Sequence, residues 1–100
     1  MEEQELLREL RRAAESGKIT IGLRTTRKAL KRGELRLIVA ASNCPDEELV
    51  SKGEIEGVKV IRVSRRNTDL GAFIGKPFPV SVVGIVDPGN SKILQVAGVS

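Results

Sequence analysis

The stretch Leu35–Ala41 is nearly unbroken in apolar residues, with only Arg36 interrupting it. A strand with one wet face alternates apolar and polar side chains, so a run of this kind calls for cover on both faces, as in a sheet with helices above and below it. Val80–Val86 is a second apolar strand segment. The material available to cover these strands is aliphatic, because Phe73 and Phe78 are the only aromatic residues in the chain. Branched aliphatic side chains suit strands and helix-on-sheet layers. A chain of 100 residues has room for one such domain and not two.

The remaining pattern supplies the covering helices. Glu2–Ser16 reads as a helix with Leu6, Leu10, Ala13 and Ala14 on one face, acids in its first turn and Gly17 as its stop. Lys18–Ile21 is a short strand ended by Gly22, and Thr25–Arg32 a second helix that begins at Arg24 or Thr25 and is capped by Gly33. After Leu35–Ala41 comes a turn at Ser42–Pro45, then a third helix over Asp46–Ile55, weakened at Gly53 by about 1 kcal/mol relative to alanine. Val58–Val63 is a strand and Ser64–Asn67 a basic loop. Asn67 or Thr68 caps a short helix through Ile74. Lys76-Pro77-Phe78-Pro79 is irregular, since two prolines remove backbone donors. Val80–Val86, a turn at Asp87-Pro88-Gly89 and a helical turn capped by Asn90 or Ser91 close the chain. Four strands separated by helices predict a mixed or mostly parallel sheet between helical layers.

Charge is unevenly placed. The overall balance is 17 Lys and Arg against 13 Asp and Glu, a net charge of +4. Between Gly17 and Arg36 lie Lys18, Arg24, Arg27, Lys28, Lys31, Arg32 and Arg36 with the single acid Glu34, whereas Asn43–Val60 holds five acids and two bases. Arg62, Arg65, Arg66, Lys76 and Lys92 make the last part basic again. Two basic regions that folding brings together would suit a nucleic acid. Other functions find little support. Cys44 is the only cysteine and histidine is absent, which removes disulfides, the usual zinc ligands and the base of most nucleophile–base pairs. Glu47 and Glu48 are adjacent and point apart on a helix, and Gly22 belongs to no phosphate-binding glycine motif. No apolar run has the length of a membrane span, and the acidic N-terminus lacks a signal-peptide pattern, so a cytosolic, non-enzymatic protein without cofactor or metal is expected.

Candidate chemistry concentrates in loops and helix starts. In Gly22-Leu23-Arg24-Thr25-Thr26-Arg27-Lys28, cations crowd a helix N-terminus, where the dipole disfavours them and a phosphate would be welcome; a solvated basic face explains the same residues. Asn43 follows a buried strand with an amide able to read a base edge, or to serve a turn. Arg65-Arg66-Asn67 precedes a helix cap, as an exposed loop also would. Phe78, between two prolines, can stack on an unpaired base, while Phe73 reads as core.

The ordered set of segments carries a resemblance. Ser16–Gly22, the Thr25–Leu30 helix with Gly33, Leu37–Asn43 with Pro45, Asn67–Gly71, Gly75–Phe78 and Val86–Leu94 together resemble the archaeal and eukaryotic ribosomal protein L30e family, within the kink-turn-binding superfamily. The resemblance runs from Leu6 nearly to the end and implies one L30e-like domain over residues 1–100, a three-layer α/β/α sandwich with a four-stranded mixed sheet. It implies that Gly22, Arg24, Thr25 and Lys28 enter the groove of a bent RNA, that Asn43 contacts a base, and that Arg65, Arg66, Asn67 and Phe78 grip unpaired nucleotides. Arg24 stands where the guide-RNA branch of the superfamily has asparagine, which favours the ribosomal branch over a guide-RNA or ribonuclease P subunit. Asp46–Gly57 is shorter than in that family and lacks its tyrosines. The implied partners are ribosomal RNA and other large-subunit components, with no membrane, for a chain monomeric when isolated. A protein-interaction module using the acidic middle segment is the alternative of another class.

Overall fold

The computed structural model describes residues 2–99. Along the chain run α1 (Glu3–Ser16), β1 (Lys18–Ile21), α2 (Leu23–Lys31), β2 (Leu37–Ala40), α3 (Glu47–Ser51), β3 (Glu54–Ile55), β4 (Val58–Arg62), α4 (Asn67–Phe73), β5 (Val82–Asp87) and α5 (Ile93–Val96). The sheet order is β1-β5-β2-β4-β3. β5 is antiparallel to both β1 and β2, β2 is parallel to β4, and β3 is antiparallel to β4, so the sheet is mixed as expected.

Burial along β2 explains its unbroken apolar run. Every residue of the strand is buried. Leu37 and Val39 join a cluster with Leu6, Leu10, Leu70 and Ile93 from α1, α4 and α5, while Ile38 and Ala40 join Ala29, Leu30 and Leu49 from α2 and α3. Both faces are therefore dry, and the molecule is a three-layer α/β/α sandwich. Helix α1 buries Leu7 as well as the expected Leu6, Leu10 and Ala13. Each fully buried leucine contributes roughly 1.5–3 kcal/mol relative to exposure. No helix among the described residues is long and apolar enough to cross a membrane.

The departure from expectation lies between Asp46 and Val60. The third helix stops at Ser51 instead of Ile55, and a fifth strand follows it. Gly53, Glu56 and Gly57 take φ of 67°, 49° and 82°, left-handed values that break the helix and turn Glu54–Ile55 back against Val58–Lys59. Gly53 O then accepts from Val60 N–H at 2.8 Å, so β3 is held to β4 at both ends.

Two close approaches orient the helices. A Cβ on Gly84 of β5 would lie 2.4 Å from Thr20 Oγ1 and 2.7 Å from Leu35 Cδ2, so the absence of a side chain lets α2 settle on the sheet. Thr26 is fully buried there, and its hydroxyl shares a 2.9 Å hydrogen bond with that of Thr20. On the other face, α1 fastens loops through its acids. The buried Glu9 carboxylate accepts from Lys92 N–H at 2.7 Å, and Glu3 accepts from Ser64 N–H at 2.5 Å. The first-turn acids expected to favour the helix dipole thus include one that docks the loop after β4.

Candidate nucleic-acid interface

Because β2 and β4 are parallel and β5 runs antiparallel to both β2 and β1, the last residues of β1, β2 and β4 and the first of β5 lie at one end of the sheet. Backbone hydrogen bonds stitch the segments leaving that end to one another. Gly22 N–H donates to Val82 O at 3.0 Å, Ala41 N–H to Ser81 O at 2.8 Å, Ser42 N–H to Arg65 O at 2.8 Å, and Val80 N–H to Asn67 O at 2.9 Å. The four segments singled out from the sequence are brought together here.

Helix α2 opens this end. It begins at Leu23, one or two residues earlier than expected, with Gly22 as its cap residue at φ 92° and ψ 157°. Only glycine occupies that backbone region readily. A Cβ on Gly22 would meet nothing within 4 Å, so its outer side is open to close approach. No side chain caps the helix, which leaves the amides of its first turn facing outward as donors. Arg24, Thr25 and Lys28 are exposed, and neither Arg24 nor Lys28 pairs with an acid among the described residues. Arg27 behaves differently. Its Nε donates to Asp46 Oδ2 at 2.7 Å and its terminal nitrogen to Glu48 Oε1 at 3.0 Å, tying α2 to α3. The hydrogen bond to Asp46, then the one to Glu48, raises its pKa above the ordinary arginine value. The cation cluster read from the sequence therefore splits into a structural arginine and an outward pair. The same contacts occupy two acids of the middle segment.

The β2 and β4 loops meet through a pair of asparagines. Asn43 Oδ1 accepts from Asn67 N–H at 2.8 Å, and Asn43 Nδ2 donates to Asn67 Oδ1 at 3.1 Å. Asn43 thus serves the start of α4, where Arg66 is the cap residue and supplies no side-chain bond. These bonds give Asn43 its turn role, and its exposed amide keeps one N–H and one lone pair free, as Asn67 keeps its NH2. Arg65 is half-buried, with its guanidinium carbon 5.4 Å from the centroid of the Phe73 ring. Cation–π stacking uses its face and leaves its edge donors outward. Arg66 is exposed and unpaired among the described residues. Arg62 turns back to donate to Ser42 O at 2.6 Å.

Phe78 projects from the loop before β5. It is 49% exposed and stands out as the exposed large hydrophobic residue, on a backbone constrained by Pro77 and Pro79. Its loop rests on α4. A Cβ on Gly71 would lie 2.1 Å from Phe78 O, so the contact requires glycine. Thr68, Lys76, Pro77, Phe78 and Pro79 line an open depression of about 290 Å³. Thr68 and Lys76 were not among the residues assigned to the site from sequence. Lys76 adjoins the Pro-Phe-Pro segment, which was a usable signal; Thr68 had none. Phe73, expected in the core, is half-buried and packs against it beneath Arg65.

Free amides, unpaired cations, asparagine edges and one bare ring make this end suited to phosphates and unpaired bases. Among the described residues no group of three or more His, Cys, Asp and Glu side chains could hold a metal ion.

The fold and this end of it define a class: a small α/β/α sandwich with a cationic, aromatic-bearing loop surface where its parallel strands end. Comparison with known proteins narrows the class. The profile of the ribosomal protein L7Ae/L30e/S12e/Gadd45 family matches residues 4–95. Large ribosomal subunit protein eL30 of Methanoregula boonei is 37% identical over 87 residues, covering 87% of this chain and 90% of the relative. The eL30 proteins of Methanococcus maripaludis and Pyrobaculum calidifontis are each 35% identical over 92 residues, covering 89% of this chain and 92% and 91% of the relatives. The chain belongs to the ribosomal protein L7Ae/L30e/S12e/Gadd45 family.

Proposed function

We propose that this protein is a structural, non-enzymatic constituent of the large ribosomal subunit that binds a kink-turn-like element of ribosomal RNA. The ribosomal role rests on its similarity, over most of its length, to proteins named large ribosomal subunit protein eL30. The same reading includes a cytoplasmic, ribosome-bound location and other large-subunit components as neighbours, and we propose that the isolated chain is a monomer.

The observation that carries the RNA-binding reading is the meeting of the free cations Arg24 and Arg66 with the open backbone at Gly22 and the half-exposed Phe78 ring at one end of the sheet, Lys28 lying exposed one helical turn beyond Arg24. A sharp bend in RNA crowds phosphates together. Cations and helix amides on the inside of that bend offset the repulsion, while Asn43 and Asn67 offer edges to the bases that the bend exposes. A straight duplex offers neither crowded phosphates nor splayed bases. Affinity for a kink-turn RNA and for a straight duplex of equal length, measured by titration over a salt series, tests this. The bent RNA should bind more tightly, with a log–log salt slope of about −3 to −4 if four phosphates are neutralised, Arg65 contributing the fourth through its outward edge. Equal affinity for both RNAs would refute specific recognition, and a slope near zero would refute the phosphate contacts.

A further inference from the structure

The loop that carries Arg65 and Arg66 is held by a residue distant in sequence. Ser64 donates twice to the Glu3 carboxylate, its N–H to Oε1 at 2.5 Å and its hydroxyl to Oε2 at 2.5 Å. Glu3 stands half-buried at the start of α1, 61 positions earlier in the chain. Further along the loop, Arg65 O accepts from Ser42 N–H at 2.8 Å, and Asn67 is clasped by Asn43. The segment is thus pinned before, at and after the two arginines, and the first of these ties comes from α1. Helix stability alone does not account for it. An acid anywhere in the first turn suits the dipole, and the exposed Glu5 already provides one. On charge alone a carboxylate is unwelcome beside cations that await phosphates, because it repels the same anions. Both of its oxygens are instead engaged by one serine.

We infer that Glu3 is a positioning residue for RNA binding: its carboxylate clasps Ser64 so that Arg65 and Arg66 are already ordered when the RNA arrives. This role rests on the RNA-binding reading above and adds to it an acid of α1 that lies outside the cationic surface. Without the clasp, the RNA itself must order the segment, and each long side chain so immobilised weakens binding by roughly 2- to 10-fold. Glutamine at position 3 can keep the clasp without the charge, its carbonyl oxygen accepting from Ser64 N–H and its NH2 donating to Ser64 Oγ. Alanine removes clasp and charge together. The two roles therefore predict opposite signs for Glu3→Ala: a repelling acid predicts tighter binding on its removal, a clasp predicts weaker binding.

The test is a double-mutant cycle with the full chain. Wild type, Glu3→Ala, Glu3→Gln, Ser64→Ala, Arg24→Gln and Arg66→Gln, with Glu3→Ala also combined with each arginine change, are titrated with a kink-turn RNA and a straight duplex of equal length. Melting curves first fix a temperature at which every variant is folded. Glu3→Ala should weaken binding of the bent RNA by roughly 2- to 10-fold for each arginine it releases. Ser64→Ala, which keeps the N–H bond, should lose a smaller part of that, and Glu3→Gln should recover most of it. In the Glu3→Ala background the loss caused by Arg66→Gln should shrink, whereas the loss caused by Arg24→Gln, on α2, should stay as it is in wild type. A merely structural role for Glu3 would leave both losses unaltered or change them alike. Unchanged or tighter binding by Glu3→Ala would overturn the positioning role, as would a loss in Glu3→Gln as large as that in Glu3→Ala, or equal coupling of Glu3 to Arg24 and Arg66. Any of these results, with wild type still preferring the bent RNA, leaves the RNA-binding reading standing; loss of that preference in wild type removes both.

Discussion

Gly71→Ala places opposing effects on one residue. In an exposed helix interior this change stabilises by about 1 kcal/mol, because alanine has the higher helix propensity. Gly71 is buried in α4, and its new Cβ would lie 2.1 Å from Phe78 O and 3.2 Å from Phe78 C. Carbon–oxygen contacts relax at about 3.3 Å, so the loop must retreat by roughly 1 Å. The obstructing atoms are backbone, flanked by Pro77 and Pro79 and held by the bonds from Lys76 N–H and Val80 N–H, so they yield less easily than a side chain end would. Overpacking of this kind costs about 1–3 kcal/mol, and subtracting the propensity gain leaves a net loss of about 0–2 kcal/mol. At about 4–8 °C per kcal/mol for a domain of this size, the melting temperature falls by up to about 15 °C, where an unobstructed site would raise it. Circular dichroism melts give the sign. Affinity for kink-turn RNA should fall as well, since the retreat carries Phe78 away from α4. A higher melting temperature with unchanged RNA affinity would refute the claim that α4 braces the Phe78 loop.

Asn43→Ala removes both bonds to Asn67, and with them the support for the first turn of α4; thermal or urea unfolding should show a loss of about 0.5–2 kcal/mol. The same variant should lose preference for bent over straight RNA with its salt slope unchanged, and a changed slope would move Asn43 from base to phosphate contact. Arg27→Gln should leave the salt slope of RNA binding intact, because Asp46 and Glu48 already occupy that guanidinium, and should lower stability by about 1 kcal/mol or less at this partly exposed pair, read from melts. A raised folded-state pKa stabilises below the unfolded value and is lost only as pH rises through the higher one, so the titration of Arg27 itself gives no slope in stability between about pH 6 and 9. Glu9→Ala leaves Lys92 N–H without its buried acceptor and should cost about 1.5–3 kcal/mol in urea unfolding.

Much of this architecture is legible before any coordinates. A strand dry on both faces has no polar residues to interrupt it, and Leu37–Ala40 announces itself for that reason. The two-residue strand β3 does not, because two residues carry no periodicity and one of the turn positions is Glu56, at φ 49° without being glycine. The limits of reading cations from a line are clearest in α2. Arg24, Arg27 and Lys28 look alike in the sequence, yet only Arg27 meets carboxylates, on residues 19 and 21 positions further on. The Pro-Phe-Pro segment betrays an irregular loop, whereas Thr68 reaches the same hollow only because Gly71 lets that loop lie on α4. Asn43 sits between these cases: both of its readings were visible, and the clasp with Asn67 gives it its turn role while leaving part of its amide free.

The connections at the two ends of the sheet are packed differently. At the far end, a Cβ on Gly17 would lie 2.1 Å from Asp87 O and 2.8 Å from Gly89 N, while one on Gly89 would lie 2.6 Å from Ser16 Oγ. Ser16 Oγ also accepts from Asn90 N–H at 3.0 Å, so two connections lock together there. At the near end the connections are joined by backbone bonds, the Asn43–Asn67 clasp and the Arg62 bond to Ser42 O, while Arg24, Arg66 and Phe78 remain exposed there and neither arginine pairs with an acid among the described residues. Solvated cations without an acidic partner contribute little to the stability of the fold at neutral pH, Lys28 adding only its favourable place in the last turn of α2. Parallel pairing of β2 with β4 makes this difference possible, because it forces both strands to release their chains at the same end, where open sheets of this kind place their ligands.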